Sequence, residues 1–261
     1  MSLARYLRSM TTAVALAAAA LSSHAALTTQ LGFAVDASGS IGTPNFDLMR
    51  TGYANALAAL PVDGSIEVTM VSFASGTVTV IAPTVVTAAT LPGIIAAVNA
   101  MVYTGGSTAT NLGIDRVTEL MTGSTNFNRT LNSMINIATD GQPNSQATAL
   151  ASAIAAEAAG IDAMTAEAVG APAAAVENLR DLVFSPLAGP CNNCGVVLPD
   201  GSIPPNPMTN LPWVLVVNSF NDFGVAIDAK IQASIGRVPE PSALALVGIA
   251  LVGLSLARRR A

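Results

Sequence analysis

The sequence predicts an α/β fold: a doubly wound, mostly parallel sheet with one antiparallel edge strand and helices on both faces. From residue 27 onward, apolar segments of strand length alternate with segments whose apolar residues recur every three or four positions. This alternation is typical of a parallel sheet covered by helices. The strand segments are continuous apolar runs, as strands buried on both faces require. Ser75-Gly76 separates two of them, 66–73 and 77–82, which predicts a hairpin at one edge of the sheet.

The first elements of the chain have clear boundaries. The opening strand is an apolar run at 31–35 that ends in an acidic residue, two serines and a glycine. The first helix begins near Pro44, because proline favours the first turn of a helix, and it ends at Pro61. After the hairpin, residues 91–102 have the composition of a short helix.

The second half of the chain continues the same alternation. Gly160 ends an alanine-rich helix, since glycine readily takes the left-handed conformation that caps a helix. In the last helix, Phe223, Ile227 and Ile231 fall on one face. Trp213 opens the last strand and is expected in the core. The predicted strands are 134–138, 161–169 and 213–217, and the predicted helices are 111–121, 145–159, 172–182 and 221–235.

Residues 185–212 interrupt this rhythm and are interpreted as a Pro-rich inserted loop. The segment holds seven prolines and few periodic apolar residues. It also contains Cys191 and Cys194, the two cysteines of the chain, in the arrangement C-N-N-C. Such a pair can be a redox dithiol, half of a zinc site or a local disulfide. A redox motif should open a helix after a strand, and zinc needs further ligands, so we expect a local disulfide in an exported protein.

Residues 1–26 have the order of a secretory signal peptide. Arg5 and Arg8 precede an apolar stretch from 10 to 21, and small residues follow it. The apolar stretch is too short for a comfortable membrane span. The alternative is a buried N-terminal helix of the fold.

The C-terminal segment, 238–261, resembles the PEP-CTERM sorting signal of Gram-negative bacteria. Pro239-Glu240-Pro241 is followed by an apolar segment at 243–257 and by three arginines at the end. The resemblance implies export through the inner membrane, transient insertion through 243–257, and processing by the sorting enzyme exosortase. The basic end would hold that terminus on the cytoplasmic side. The alternative is a plain C-terminal membrane anchor.

Charge excludes some function classes for the part between these two ends. Removing both ends takes away five of the eleven basic residues and one of the sixteen acidic residues, which leaves a net charge of about −9. Nucleic-acid binding needs a basic surface, so we expect no nucleic acid as a partner. The only histidine, His24, lies within residues 1–26 and is removed with that segment. The remainder therefore lacks the Ser-His and Cys-His pairs of nucleophilic catalysis.

Polar residues follow the ends of several predicted strands and offer only oxygen ligands. Asp36, Ser38 and Ser40 alternate after the first strand, the loop 105–110 supplies hydroxyl groups, and Asp140 follows the strand at 134–138. In an open α/β sheet such loops meet at the carboxyl edge. Carboxylate and hydroxyl oxygens suit Mg²⁺, with water completing the coordination. They suit zinc poorly, because these loops contain no histidine or thiolate.

The three sequences DASGS, GGSTAT and ATDG, in this order, resemble the motif loops of the von Willebrand factor A domain. The resemblance covers residues 27–237, apart from the insertion at 185–212. It implies a metal-ion-dependent adhesion site that holds Mg²⁺ or another divalent cation such as Mn²⁺ or Ca²⁺. Thr108 is preferred to Thr110, because it lies five residues before Gly113-Ile114, the usual spacing of the family. The matching positions are Asp36, Ser38, Ser40, Thr108 and Asp140.

The resemblance implies a binding protein rather than an enzyme. We expect an exported module of the cell envelope or extracellular matrix, whose cation binds a carboxylate on a protein or matrix partner. One alternative is a passive structural component of a matrix or biofilm. Another is a hydrolase that uses the cation to activate water, although no general base other than the ligand carboxylates is evident.

Overall fold

The computed structural model describes residues 25–236. This part of the chain contains seven strands and six helices. The strands are β1 (Thr29–Asp36), β2 (Asp63–Phe73), β3 (Thr77–Thr87), β4 (Asn132–Thr139), β5 (Ala163–Val169), β6 (Val196–Leu198) and β7 (Trp213–Val217). The helices are α1 (Gly42–Ala58), α2 (Leu91–Asn99), α3 (Thr110–Thr122), α4 (Gln146–Ala159), α5 (Ala173–Leu182) and α6 (Phe223–Ser234).

The seven strands form one sheet in the order β3-β2-β1-β4-β5-β7-β6. All neighbouring strands are parallel except β2 and β3, which pair antiparallel through the turn at Ser75-Gly76. The predicted fold class is confirmed, including the antiparallel edge. The strand β1 lies near the middle of the sheet, between β2 and β4, and all eight of its residues are buried.

Helices cover both faces of the sheet and divide the core into two layers. Helices α1, α2 and α6 pack on one face, and α3, α4 and α5 pack on the other. Trp213 is fully buried, as expected for the start of the last strand. Helices α1 and α6 approach closely where Gly52 faces Gly224, since a Cβ atom on Gly52 would lie 3.0 Å from the Gly224 Cα. This close contact fixes α6 over the middle of the sheet.

The structure differs from the prediction in the Pro-rich insertion. Residues 185–212 were expected to form only a loop, yet β6 lies within them and pairs parallel with β7 at the edge of the sheet. The Arg180 Nε atom donates a 2.8 Å hydrogen bond to the Gly195 carbonyl oxygen, which fixes the approach to this strand. Three residues are too few to show a periodicity of two. Val196, Val197 and Leu198 are all apolar, so the sequence lacks the alternating pattern of a half-buried strand.

One helix boundary also differs from the prediction. The helix expected over 91–102 ends at Asn99, where the Ala100 amide donates to the Ala96 carbonyl. No glycine or proline follows directly in the sequence, so no local signal marks this end.

Two predicted segments concern residues outside the described part of the chain. These are the signal peptide, apart from its last two residues, and the sorting segment at 238–261. Between residues 25 and 236, the structure has no helix long and apolar enough to cross a membrane.

Candidate functional site

The candidate site begins at the carboxyl end of β1, where Asp36 closes the strand. Its side chain is fully buried, and its Oδ1 atom accepts a 2.7 Å hydrogen bond from the Ser38 amide. This bond turns the chain two residues after the aspartate, a frequent use of Asp in turns. The Ala37 amide donates to the Phe73 carbonyl oxygen of β2 at 2.7 Å, so the turn leaves the sheet in a fixed direction. Ser38 and Ser40 are thereby held above the sheet edge.

The glycine-rich loop lies directly against this turn. The Gly105 amide donates to the Ala37 carbonyl oxygen, and the Gly39 amide donates to the Gly106 carbonyl oxygen, both at 2.9 Å. Gly105 and Gly106 have φ angles of 65° and 94°, which residues with a side chain rarely adopt. A Cβ atom on Gly106 would also lie 2.5 Å from Ser75 Oγ. The two glycines therefore allow the loop to carry Thr108 to the first turn.

The third loop follows β4 and carries Asp140. Its Oδ1 atom accepts a 2.6 Å hydrogen bond from Ser40 Oγ. Asn144, four residues further on, exchanges two bonds with Thr108: the Thr108 amide donates to Asn144 Oδ1 at 3.0 Å, and the Asn144 amide donates to the Thr108 carbonyl at 2.8 Å. These bonds join the second and third loops.

The five predicted side chains form one connected network. Thr108 Oγ1 donates to Ser38 Oγ at 3.1 Å, and Ser38 Oγ lies 3.3 Å from Ser40 Oγ. The Ser40 hydroxyl reaches Asp140, and the Ser38 backbone reaches Asp36. Asp36 and Ser38 are buried, Thr108 and Asp140 are half-buried, and Ser40 is exposed. The inner side of the cluster is therefore buried, and its outer side is open to solvent.

Both carboxylates of this cluster are electrostatically unsatisfied. Burial raises the pKa of Asp36 to about 6, although hydrogen bonds from Thr139 and Ser38 oppose the shift. Burial also raises the pKa of Asp140, although the hydrogen bond from Ser40 opposes this shift. No basic side chain between residues 25 and 236 forms an ion pair with either aspartate. The cluster is thus a place where a cation would relieve the cost of two partly buried charges.

The donor set fits a hard divalent cation. It consists of two carboxylates and three hydroxyl groups, and oxygen ligands of this kind suit Mg²⁺, Mn²⁺ and Ca²⁺. In the described part of the chain, no group of three or more His, Cys, Asp or Glu side chains could hold a metal. A cation bound here would therefore rely on the hydroxyl groups and on water beside the two aspartates.

Thr108, rather than Thr110, belongs to the cluster, and two further residues support it. Thr108 Oγ1 reaches Ser38, whereas Thr110 Oγ1 is buried and bonds to no described residue. Thr139, which was not predicted as a site residue, donates from its Oγ1 to Asp36 Oδ2 at 2.6 Å. Asn144, which joins the two loops, was likewise not predicted as a site residue. A hydroxyl directly before Asp140 was visible in the sequence, but its partner depends on the pairing of β1 with β4.

The two cysteines lie far from this cluster in the chain, on the surface beside α5. Their sulfur atoms are in contact, and their Cα atoms lie 5.5 Å apart, a usual separation for a disulfide. The Asn193 amide between them donates to Asp181 Oδ1 at 2.7 Å, and the Asn193 carbonyl accepts from Arg180. The loop is therefore attached to the end of α5.

Comparison with known proteins supports these observations at the level of family and fold. No curated protein sequence matches the chain. Among solved structures, proximal thread matrix protein 1 from the mussel byssus aligns with a TM-score of 0.57 at 16% identity, over 80% of this chain and 46% of that one. A second form of that protein, with a zinc-occupied MIDAS motif, gives a TM-score of 0.58 at 18% identity, over 83% and 50%. The pilus adhesin SpaC from Lactobacillus rhamnosus GG gives 0.57 at 15% identity, over 80% and 30%.

These structural likenesses concern the fold, and the chain spans half or less of the length of each of those proteins. Sequence models of two families also match the chain. The PEP-CTERM protein-sorting motif matches residues 237–260, which implies export and processing by an exosortase. The von Willebrand factor type A domain matches residues 30–194, more than half of the chain. The chain is therefore a member of the von Willebrand factor type A domain family that carries a PEP-CTERM sorting motif.

Proposed function

We propose that this protein is an exported binding module that holds a divalent cation at the carboxyl edge of its sheet. Asp36, Ser38, Ser40, Thr108 and Asp140 would surround the cation, with water in the remaining positions. The cation would bind a carboxylate of a protein or matrix partner, and the protein would act without catalysis. The domain would comprise residues 27–237, between the signal peptide and the sorting segment.

The connected network of five oxygen-bearing side chains is the observation that carries this proposal. Asp36 lies on the buried side of the network and Ser40 on its exposed side. A cation could therefore be bound from the protein interior and still contact a partner on the solvent side. The raised pKa of both aspartates is consistent with carboxylates that lack a positive partner. Mg²⁺, Mn²⁺ and Ca²⁺ suit the oxygen ligands best. Because one structural neighbour carries zinc at its MIDAS motif, zinc belongs in any test.

The sorting motif supports the proposed location. It indicates export and association with a surface or matrix in bacteria. We propose that the host is Gram-negative, with an inner membrane that holds the protein until exosortase processes it. The structural likeness to a matrix protein and a pilus adhesin agrees with a role outside the cell.

Thermal unfolding of the purified protein tests the cation. Mg²⁺, Mn²⁺, Ca²⁺ and Zn²⁺ are added separately to protein treated with a chelator, and the melting temperature is followed. A ligand at one hundred times its Kd adds about 2.7 kcal/mol, which for a domain of this size raises the melting temperature by about 5–10 °C. Asp140→Asn should lose the rise, and Asp115→Asn, an exposed aspartate on α3, should keep it. No rise with any of the four ions would remove the proposal.

A second measurement separates cation binding from partner binding. Retention on an acidic polysaccharide resin is compared with retention on a neutral polysaccharide resin, with and without the stabilising cation. We expect retention only on the acidic resin, only with cation, and not for Asp140→Asn. Equal retention on both resins would favour a passive matrix component in which the cation has no binding role.

A further inference from the structure

A second cluster of polar side chains lies inside the core, on the sheet face covered by α1 and α6. It consists of Tyr53 on α1, Asn136 on β4, Glu167 on β5 and Lys230 on α6. All four side chains are fully buried. Phe33 stands beside them as the register partner of Asn136 on the neighbouring strand β1. This core cluster is separate from the candidate cation site and plays no part in it.

The carboxamide of Asn136 is held at both ends. Tyr53 Oη donates to Asn136 Oδ1 at 3.3 Å, and Asn136 Nδ2 donates a short hydrogen bond to Glu167 Oε2. The Tyr53 ring packs edge-on against Phe33 at 5.4 Å and against Phe223 at 5.2 Å between ring centroids. Aromatic rings thus exclude water from a carboxamide whose oxygen faces a hydroxyl donor and whose nitrogen faces a carboxyl group.

Lys230 is the unexplained member of the cluster. It is the only lysine in the chain, and lysine is almost never fully buried unless it is paired. Its Nζ atom lies 5.2 Å from the centroid of the Phe33 ring, and no described residue accepts a hydrogen bond from it. Glu167 Oε1 also has no hydrogen-bond partner within the described residues. A buried amine and a buried carboxyl oxygen are therefore both unsatisfied beside an activated carboxamide.

We propose that this cluster is a self-modification site, at which Lys230 Nζ attacks Asn136 Cγ and forms an intramolecular amide crosslink with release of ammonia. The bond that forms joins Nζ to Cγ, and the bond that breaks joins Cγ to Nδ2. No oxidant, reductant or other reactant is needed. The product satisfies the buried lysine nitrogen by converting a charged amine into a neutral amide.

The attack requires the lysine tip to move from the Phe33 ring to the carboxamide of Asn136. Phe33 and Asn136 are directly opposite each other on adjacent strands, which lie about 4.8 Å apart. Because the stem of Lys230 is flexible, its rotation would carry Nζ from the Phe33 ring toward this neighbouring carboxamide.

Each neighbour has a defined task in this reaction. The Tyr53 hydroxyl donates to the carboxamide oxygen, where negative charge develops during the attack. Glu167 takes a proton from the lysine ammonium to free the nucleophile. It then gives its proton to the departing Nδ2 and accepts a second proton from Nζ, so that nitrogen leaves as ammonia and Glu167 remains protonated.

The protonation states agree with this order of proton transfers. Burial raises the pKa of Glu167 to about 7 and lowers the pKa of Lys230 to about 8, while the attraction between the two opposes both shifts. These values lie within about one unit of each other, so the neutral pair with a free amine is accessible near neutral pH. Covalent linkage of β4 to α6 would also stabilise the fold, because it closes a long loop of the chain.

Tryptic digestion of the purified full-length protein tests the crosslink. Trypsin cleaves after arginine and unmodified lysine, so an unlinked chain gives separate peptides 130–180 and 181–230. A linked chain gives one branched product of 130–180 and 181–237, in which Lys230 is uncleaved and the mass is lower by one ammonia. Fragmentation should place the branch at Asn136. Complete recovery of a peptide ending at an unmodified Lys230 from folded protein would overturn the proposal.

Variants test the roles without depending on one that fails to fold. Glu167→Gln keeps the shape and a hydrogen bond to Asn136 but cannot carry a proton, so at least a tenfold loss of the branched product is expected. Tyr53→Phe should slow its formation, and Asn136→Ala should abolish it. Asn218→Ala, which changes a surface asparagine at the end of β7, is the matched control. Undiminished branching in a folded Glu167→Gln variant, shown by circular dichroism, would contradict the mechanism.

Discussion

The Thr139 hydroxyl donates a 2.6 Å hydrogen bond to Asp36 Oδ2 across the pairing of β4 with β1. The other carboxylate oxygen, Oδ1, accepts from the Ser38 amide. Asp36 is therefore fixed on both sides by the protein, while each of its oxygens keeps a lone pair for a further partner. Because Asp140 directly follows Thr139, this one bond also sets the separation of the two acidic strand ends.

Replacing Thr139 with valine should weaken cation binding while preserving the fold. Valine keeps the shape of threonine, but it leaves Asp36 Oδ2 without a donor and free to rotate. Loss of a partner that orients a ligand typically costs about 10–100-fold in metal affinity. Calorimetric titration with Mg²⁺ measures this change. Thr165→Val is the matched control, because the Thr165 hydroxyl on β5 is buried and bonds to no described residue; equal affinity in the two variants would argue against this role of Thr139.

Replacing Asp36 with asparagine should separate stability from cation binding. Burial raises the pKa of Asp36 to about 6, so at pH 7 the ionised carboxylate destabilises the cation-free fold. The asparagine variant should be more stable without cation, by about 1–3 kcal/mol, and should gain nothing when Mg²⁺ is added. Urea unfolding with and without Mg²⁺ measures both effects. Asp47→Asn, in a partly exposed pair with Arg50, should change stability by less than about 0.5 kcal/mol.

The buried carboxyl group of Glu167 should make stability depend on pH. Burial raises the pKa of Glu167 from 4.5 to about 7, so the folded state holds this proton more tightly than the unfolded chain. Its contribution is therefore fully present below about pH 4.5 and is lost as the pH rises to about 7, in total about 3 kcal/mol. Urea unfolding across this pH range should show a decrease in the free energy of unfolding of the native chain. Glu167→Gln should show a smaller loss, because only the contributions of the buried carboxyl groups of Asp36 and Asp140 remain. Glu119→Gln, an exposed control on α3, should retain the full loss.

The dependence of stability on pH in the alkaline range gives a second test of the proposed crosslink. Burial lowers the pKa of Lys230 to about 8, so a free amine would bind fewer protons in the folded state than in the unfolded chain. Stability would then rise between about pH 8 and 10. An amide has no such titration, and the profile should be flat in this range. A rise that is present in the native chain and absent in Lys230→Met would show that the amine is free.

Much of the fold and of the candidate cation site could be predicted from the sequence, because local sequence patterns indicate them. Continuous apolar runs marked the buried strands, and the Ser75-Gly76 turn marked the antiparallel edge. Three short polar motifs identified the loops that meet above β1. The strand β6 could not be predicted, since it depends on pairing with β7 and on the contact of Arg180 with Gly195.

The core cluster was missed for a different reason. Glu167 and Lys230 lie within segments correctly assigned as strand and helix, but a charged residue in such a segment is usually on the solvent side. Asn136 and Tyr53 likewise gave no local sign of a shared partner. Only the packing of α1 and α6 on the sheet brings the four residues together.

Reducing the Cys191–Cys194 pair should barely change stability. A disulfide stabilises mainly by restricting the unfolded chain, and a link across two intervening residues closes a very short loop. The loop is also attached independently, through Asn193 to Asp181 and Arg180. Melting temperatures with and without reductant, and of Cys191→Ser with Cys194→Ser, should agree within about 2 °C. A drop of many degrees would show that the insertion depends on the link for its packing against α5.

The last prediction concerns processing at the sorting segment. If Pro239-Glu240-Pro241 is read by an exosortase, changing the triplet to alanines should leave the full-length protein in the inner membrane, held through 243–257 with the terminal arginines in the cytoplasm. Truncation after Arg237 should instead release a folded protein, because α6 ends at Ser234 and completes the packing on the sheet. A plain membrane anchor predicts no effect of the triplet change, since the apolar segment alone would set the location. Mass spectrometry of protein from a host that has the sorting enzyme separates the two cases, and a C-terminus ending at Ala261 would reject the sorting role.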